Sequence, residues 1–162
     1  MNSLIYANSK IKLYEKSLLT DSFLRSLIQS GSYEEAINQL INLKYIPDKY
    51  KNKSVDEISE FKENELKKKI KDLEIGSIPF DDKGLSEWHH LEKKLKSNNP
   101  EAENKKINFL KRKKGDVFGI YPIIAYHYAF LSEIRNIRII LTGKRLGVPF
   151  KEIEERLCIT YV

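Results

Sequence analysis

Residues Gly119 to Leu146, GIYPIIAYHYAFLSEIRNIRIILTGKRL, limit what this chain can fold into more than any other stretch. Pro122 suits a first helical position, where its missing N–H costs nothing. Ile123, His127, Phe130, Ile134, Ile137 and Leu141 then recur at steps of three and four, which predicts an apolar stripe down a helix. Ile124, Leu131, Ile139 and Ile140 lie beside or behind that stripe, so the helix is apolar on more than one side. In water such a helix has to be covered by others. Gly147 fits a left-handed C-cap, and Pro149 the opening of the next helix. Between Asp116 and Glu133 there are sixteen residues without a formal charge. A spanning helix needs about 20 mostly apolar residues, and Glu133, Arg135 and Arg138 fall inside any such window. A buried helix of a soluble bundle is therefore expected.

The rest of the chain supplies partners for it. Leu4, Ala7, Ile11, Tyr14 and Leu18 form a narrow seam on a helix predicted over 2–19, with Lys10, Lys12 and Lys16 outside it. Thr20 and Asp21 cap a short helix holding Phe23, Leu24, Leu27 and Ile28, which Gly31 ends. Ser32-Tyr-Glu-Glu35 and Ser54-Val-Asp-Glu57 read as capping boxes. The first opens a helix burying Tyr33, Ala36, Ile37, Leu40 and Ile41, which stops near Tyr45 because Pro47 disfavours helix at Ile46. The second opens one burying Ile58, Phe61, Leu66, Ile70 and Leu73, with Lys62, Lys67 to Lys69, Glu60, Glu63 and Glu65 on a solvated face. Leu85, Trp88, Leu91 and Leu95 mark another helix. Ile107, Phe109 and Leu110 mark a short basic one ending at Lys111-Arg-Lys-Lys114, and Ile153 and Leu157 a terminal one from Pro149.

No strand-like alternation of useful length occurs, so the expected class is all-α, built of antiparallel helical pairs. Gly76 to Gly84 is the candidate hinge. The domain division drawn from it is an N-terminal lobe over 1–76, a hinge over 77–84 and a C-terminal lobe over 85–162, or one compact domain.

The formal charge of +6 would suit an acidic partner. Yet 23 of the 29 basic residues are lysine, whereas bidentate readout of nucleic acid leans on arginine. Cys158 is alone, which excludes an intramolecular disulfide framework and suggests a packed thiol in a reducing setting. The opening MNSLIYANSK has no charged segment followed by an apolar core, so no secretory leader is expected.

Catalytic patterns are weak. His89 and His90, beside Glu87 and Glu92, point about 100° apart on a helix and cannot easily grip one ion. Asp81-Asp82 lacks a positioned acid, and no phosphate-cradling glycine motif occurs. Lys111 to Lys114 reads as a solvated helix end whose lysines favour the C-terminal dipole. Glu133, Arg135, Asn136 and Arg138 are more informative. On an apolar helix these groups must face solvent or be paired, because a lone buried charge costs several kcal/mol. The expectation is a structural network first, and a charged ridge for a partner protein second. No catalytic, metal-binding or cofactor-binding residue is assigned.

Several segments together resemble one family. Ile120-Tyr-Pro-Ile-Ile-Ala-Tyr126, Glu133-Ile-Arg-Asn-Ile-Arg138, Gly143-Lys144, Gly147-Val-Pro149, Glu152 to Leu157 and Tyr161-Val162 are similar to the end of the C subunit of V/A-type rotary ATPases, the counterpart of the d subunit of eukaryotic V-ATPases. Tyr6-Ala-Asn-Ser-Lys10, Leu18-Leu19, Phe23 to Leu27, Ser32 to Ala36 and Tyr45 resemble its first helices. The likeness is close over 1–45 and 117–162 and loose over 50–110, as in a short form without the family's middle repeat. It implies an all-helical, non-enzymatic protein without a cofactor or small-molecule substrate. Its partners would be the central-stalk subunits and the membrane rotor ring, at the cytoplasmic face of the membrane. It also places Glu133, Arg135, Asn136, Arg138 and Lys144 at helix contacts or at the stalk interface. The other reading carried forward is a stand-alone basic helical adaptor for nucleic acid or an acidic protein.

Overall fold

A computed structural model describes residues 3–75, 82–96 and 99–162. Within them the chain forms α1 (Ser3–Glu15), α2 (Asp21–Gln29), α3 (Tyr33–Asn42), a 3-10 turn (Asp48–Tyr50), α4 (Val55–Lys71), α5 (Asp82–Lys94), α6 (Pro100–Lys113), α7 (Tyr121–Arg145) and α8 (Phe150–Glu155). No strand occurs among the described residues, and the class is all-α. No helix among them is long and apolar enough to cross a membrane.

α7 is the axis of the fold: α1, α2, α3, α4, α6 and α8 all pack on it. Two partners run antiparallel to it. On α6, Phe109 meets Tyr121 while Glu103 meets Tyr128 and Arg135. On α4, Asp56 meets Arg138 while Lys69 lies over Phe130. α1 runs in the same sense as α7, with Asn8 at Gly119 and Tyr14 at Tyr126. One apolar cluster surrounds the first half of α7 and includes Ala7, Ile11, Leu66, Trp88, Ile107, Leu110, Tyr126 and Phe130. A second surrounds its last turns and includes Leu24, Leu27, Ile37, Leu40, Ile58, Ile137, Ile140, Leu141 and Ile153.

The apolar stripe of α7 keeps Ile123, Phe130, Ile134, Ile137 and Leu141 buried as predicted and departs from the prediction at His127. His127 and Leu131 are exposed, and Tyr126 fills the core in place of His127. With helices on several sides, the buried arc is wide enough to take positions 125, 126, 129, 132, 133 and 136 as well.

Helix ends follow local chemistry. Thr20 Oγ1 accepts the Phe23 amide, and Ser54 with Glu57 completes a capping box. At α3 the box is altered: Ser32 caps Glu35, but the Glu35 carboxylate accepts the amide of Gly31, one residue further back than the motif requires. Gly147, at φ +69°, closes α7 in a Schellman turn, with the amides of Val148 and Gly147 bonded to the carbonyls of Gly143 and Lys144. Lys44 does the same for α3 at φ +60°, with Tyr45 N–H to Leu40 at 2.9 Å, so α3 ends at Asn42 and not near Tyr45.

Three further expectations are corrected. α1 stops at Glu15, and the amides of residues 16–18 turn back onto Leu13, Tyr14 and Glu15. Leu157 lies beyond α8, and residues 156–162 are non-helical yet bury Cys158 and Tyr161. Lys62 is buried and not on a solvated face. Its ammonium bonds to Glu65 at 2.7 Å and the Tyr45 carbonyl at 3.2 Å, above the Tyr45 ring. A lysine can take a core-facing position when its stem packs and its head is so satisfied. The candidate hinge lies outside the described residues over 76–81, and Asp82 to Gly84 begin α5.

Candidate functional site

The polar groups of α7 reach five different elements. Glu133, which is 7% exposed, accepts the Leu19 amide on Oε2 at 2.5 Å and so holds the turn between α1 and α2. Its Oε1 has no hydrogen-bond partner among the described residues. Burial pushes this carboxyl up to about 7, against the pull of the Leu19 amide, Lys62, Tyr45 and Lys69. Burial likewise raises the Tyr45 hydroxyl, with Glu133 adding to the effect.

Arg135 reaches α6, where its guanidinium lies 3.2 Å from Glu103 Oε2. Glu103 is buried and also takes the Tyr128 hydroxyl and, at 3.2 Å, Lys106. Two cations and a phenol around one carboxylate offset much of the cost of burying it. Asn136 reaches the C-terminal tail, donating to the Cys158 carbonyl at 3.0 Å and accepting its amide at 2.9 Å. Burial pushes the Cys158 thiol up, which suits a packed group and not a nucleophile. Arg138 pairs with Asp56 of α4 at 2.8 Å on the surface. Lys144 donates to the carbonyls of Ile28 at 2.8 Å and Ser30 at 2.5 Å, and so closes the C-terminal end of α2.

These five side chains do not converge on one point; each engages a different neighbour of α7. Such a spray of contacts fixes the rotation and axial position of a helix, and it offers no shared point where a substrate atom could meet both a base and an acid. Among the described residues no three His, Cys, Asp or Glu side chains are grouped to hold a metal. His89 and His90 are exposed, and His89 approaches Glu92 at 3.4 Å. Asp81 lies outside the described residues. The basic tetrad is partly engaged within the chain: Lys113 pairs with Glu87 at 2.8 Å, and Lys114 lies 3.7 Å from Glu15 and above the Tyr161 ring.

Sequence reasoning missed three residues that do comparable work. Asn8 donates to the carbonyls of Val117 at 2.6 Å and Gly119 at 2.9 Å, pinning α1 to the entry of α7. Asn104 accepts the Ile159 amide at 2.8 Å. Glu103 collects the cations of the α6–α7 seam. For Glu103 a signal existed: it sits four residues before the core position Ile107, on the same helix face, where a carboxylate must find partners.

The model of the family described as ATP synthase (C/AC39) subunit matches residues 79–156. The likeness covers just under half of the chain. No curated protein and no solved structure matches the chain. The C/AC39 segment takes in α6, α7 and α8, and with them Glu133, Arg135, Asn136, Arg138 and Lys144. It reaches back over α5 and α6, where the sequence likeness is loose, and leaves α1 to α4 unmatched. The description of the matching family is that of an ATP synthase subunit.

Proposed function

We propose that this chain is a non-catalytic coupling subunit of a V/A-type rotary ATPase, seating the central stalk on the membrane rotor ring. The observation that carries the reading is the C/AC39 match over 79–156, a stretch that contains the whole of α7. Physically, a part that passes torque has to resist shear between its helices. Glu133, Arg135, Asn136 and Lys144 tie α7 to four surrounding elements, and dispersion in two apolar clusters adds to that stiffness. Their proposed role is to hold the socket rigid, with outward-facing parts of Arg135 and Arg138 available to the stalk.

The test is assembly. A tagged full-length chain should carry central-stalk and rotor-ring subunits through mild solubilisation and size-exclusion chromatography in fixed ratio. A rotary ATPase that purifies intact from the same cells and never contains the chain would overturn the proposal.

A further inference from the structure

A groove of about 260 Å³ runs between the last turns of α7 and α8, lined by Ile139, Gly143, Leu146, Val148 and Ile153, with Arg138 and Arg156 as its charged residues. It exists because Gly143 has no side chain: a Cβ there would lie 2.7 Å from Ile153, so glycine lets α8 close against α7 and leaves a shallow apolar trough beside the contact. Leu146 stands at its rim 73% exposed, an unusual place for a leucine at the end of a long core helix. Phe150, 60% exposed, opens α8 four residues on.

The charge of the groove has one sign. Arg156 has no partner among the described residues, and Arg138 holds only Asp56, in a pair whose side chains are 48% and 81% exposed. A pair that open to water contributes little and is readily exchanged. An apolar floor with exposed arginines at its edge is complementary to a helix that presents large apolar side chains and, one turn away, carboxylates.

We infer that the α7–α8 groove docks an acidic amphipathic helix, with apolar side chains against Leu146 and Ile139 and carboxylates against Arg138 and Arg156. The inference rests on the coupling-subunit reading, and the helix would then belong to a protein of the central stalk.

The experiment measures binding of the full-length chain to the co-expressed central-stalk subunits, by biolayer interferometry from 50 to 300 mM salt. Leu146→Ser and Arg156→Glu each change an exposed side chain, and thermal melts check that both variants fold like the parent. Each should weaken binding at least tenfold, Arg156→Glu should flatten the salt dependence, and Phe118→Asp, in the loop that precedes α7, should bind like the parent. Unchanged binding in both groove variants would overturn the groove while leaving the coupling reading in place. Self-association of the parent chain that both variants abolish would also overturn it, since the occupant would be a second copy. No binding by the parent chain removes the coupling reading and this inference together.

Discussion

The carboxamide of Asn136 holds both backbone groups of Cys158, taking its amide at 2.9 Å and giving to its carbonyl at 3.0 Å. The pairing is the one two peptide groups make between strands, transplanted onto a helix side chain. It anchors a tail with no secondary structure of its own to the axis of the fold.

Asn136→Ala is therefore expected to strand two buried backbone groups at once. At about 1–3 kcal/mol for each, a total loss of about 2–6 kcal/mol is expected in urea denaturation. Hydrogen exchange should show the Cys158 and Ile159 amides losing protection before those of α4 do. Equal protection across the tail in the variant would contradict the anchoring role.

Glu133 gives a pH signature with a definite sign. Its carboxyl is raised from 4.5 to about 7 by burial, so between those values the folded chain binds more protons than the unfolded one. Its contribution to stability is fully present below about pH 4.5 and is lost as pH rises through about 7. The difference is on the order of 3 kcal/mol. The check is the difference between the parent chain and Glu133→Gln, measured by denaturation from pH 4.5 to 8. The parent should lose ground to the variant as pH rises, and parallel curves would contradict the buried-carboxyl account.

Gly143→Ala should destabilise the α7–α8 contact, because the new methyl meets Ile153 Cδ1 and Cγ1 at 2.7 Å and Ile153 is itself buried. Overpacking of this kind costs about 1–3 kcal/mol. In the double variant with Ile153→Ala the two losses should be less than additive, since the smaller neighbour makes room. Strict additivity in a double-mutant cycle would rule out the clash.

Lys44 sits at φ +60° in the turn that ends α3, where a β-carbon costs energy and glycine does not. Lys44→Gly should raise stability by about 1 kcal/mol or slightly less, read as a higher urea midpoint at unchanged slope.

What the sequence made legible was whatever is written in local spacing. Thr20, Ser54 with Glu57, and Gly147 announce helix ends because each acts within four residues of itself. The length of α7 and its need for cover are visible in its apolar content. What stayed hidden depends on partners distant in the chain. Lys62 looks solvent-facing until the Tyr45 carbonyl and ring arrive over it. The tail after Glu155 carries no periodicity, so the clasp of Asn136 and Asn104 on it has no sequence signature. Tyr126 displaces His127 from the core because the arc covered by neighbours is set by six surrounding helices and not by the stripe alone. Of the five candidate residues, their presence on one helix was readable, but not that Lys144 would close α2 or Arg135 meet Glu103.

Coupling itself is read most directly in membrane vesicles holding the rotary ATPase, with this chain withheld and then restored. ATP hydrolysis and ion uptake are followed in the same sample. If the chain seats the stalk on the ring, hydrolysis continues without it while uptake falls to background, and adding the chain back restores uptake. Full ion uptake in vesicles that lack the chain would contradict the account.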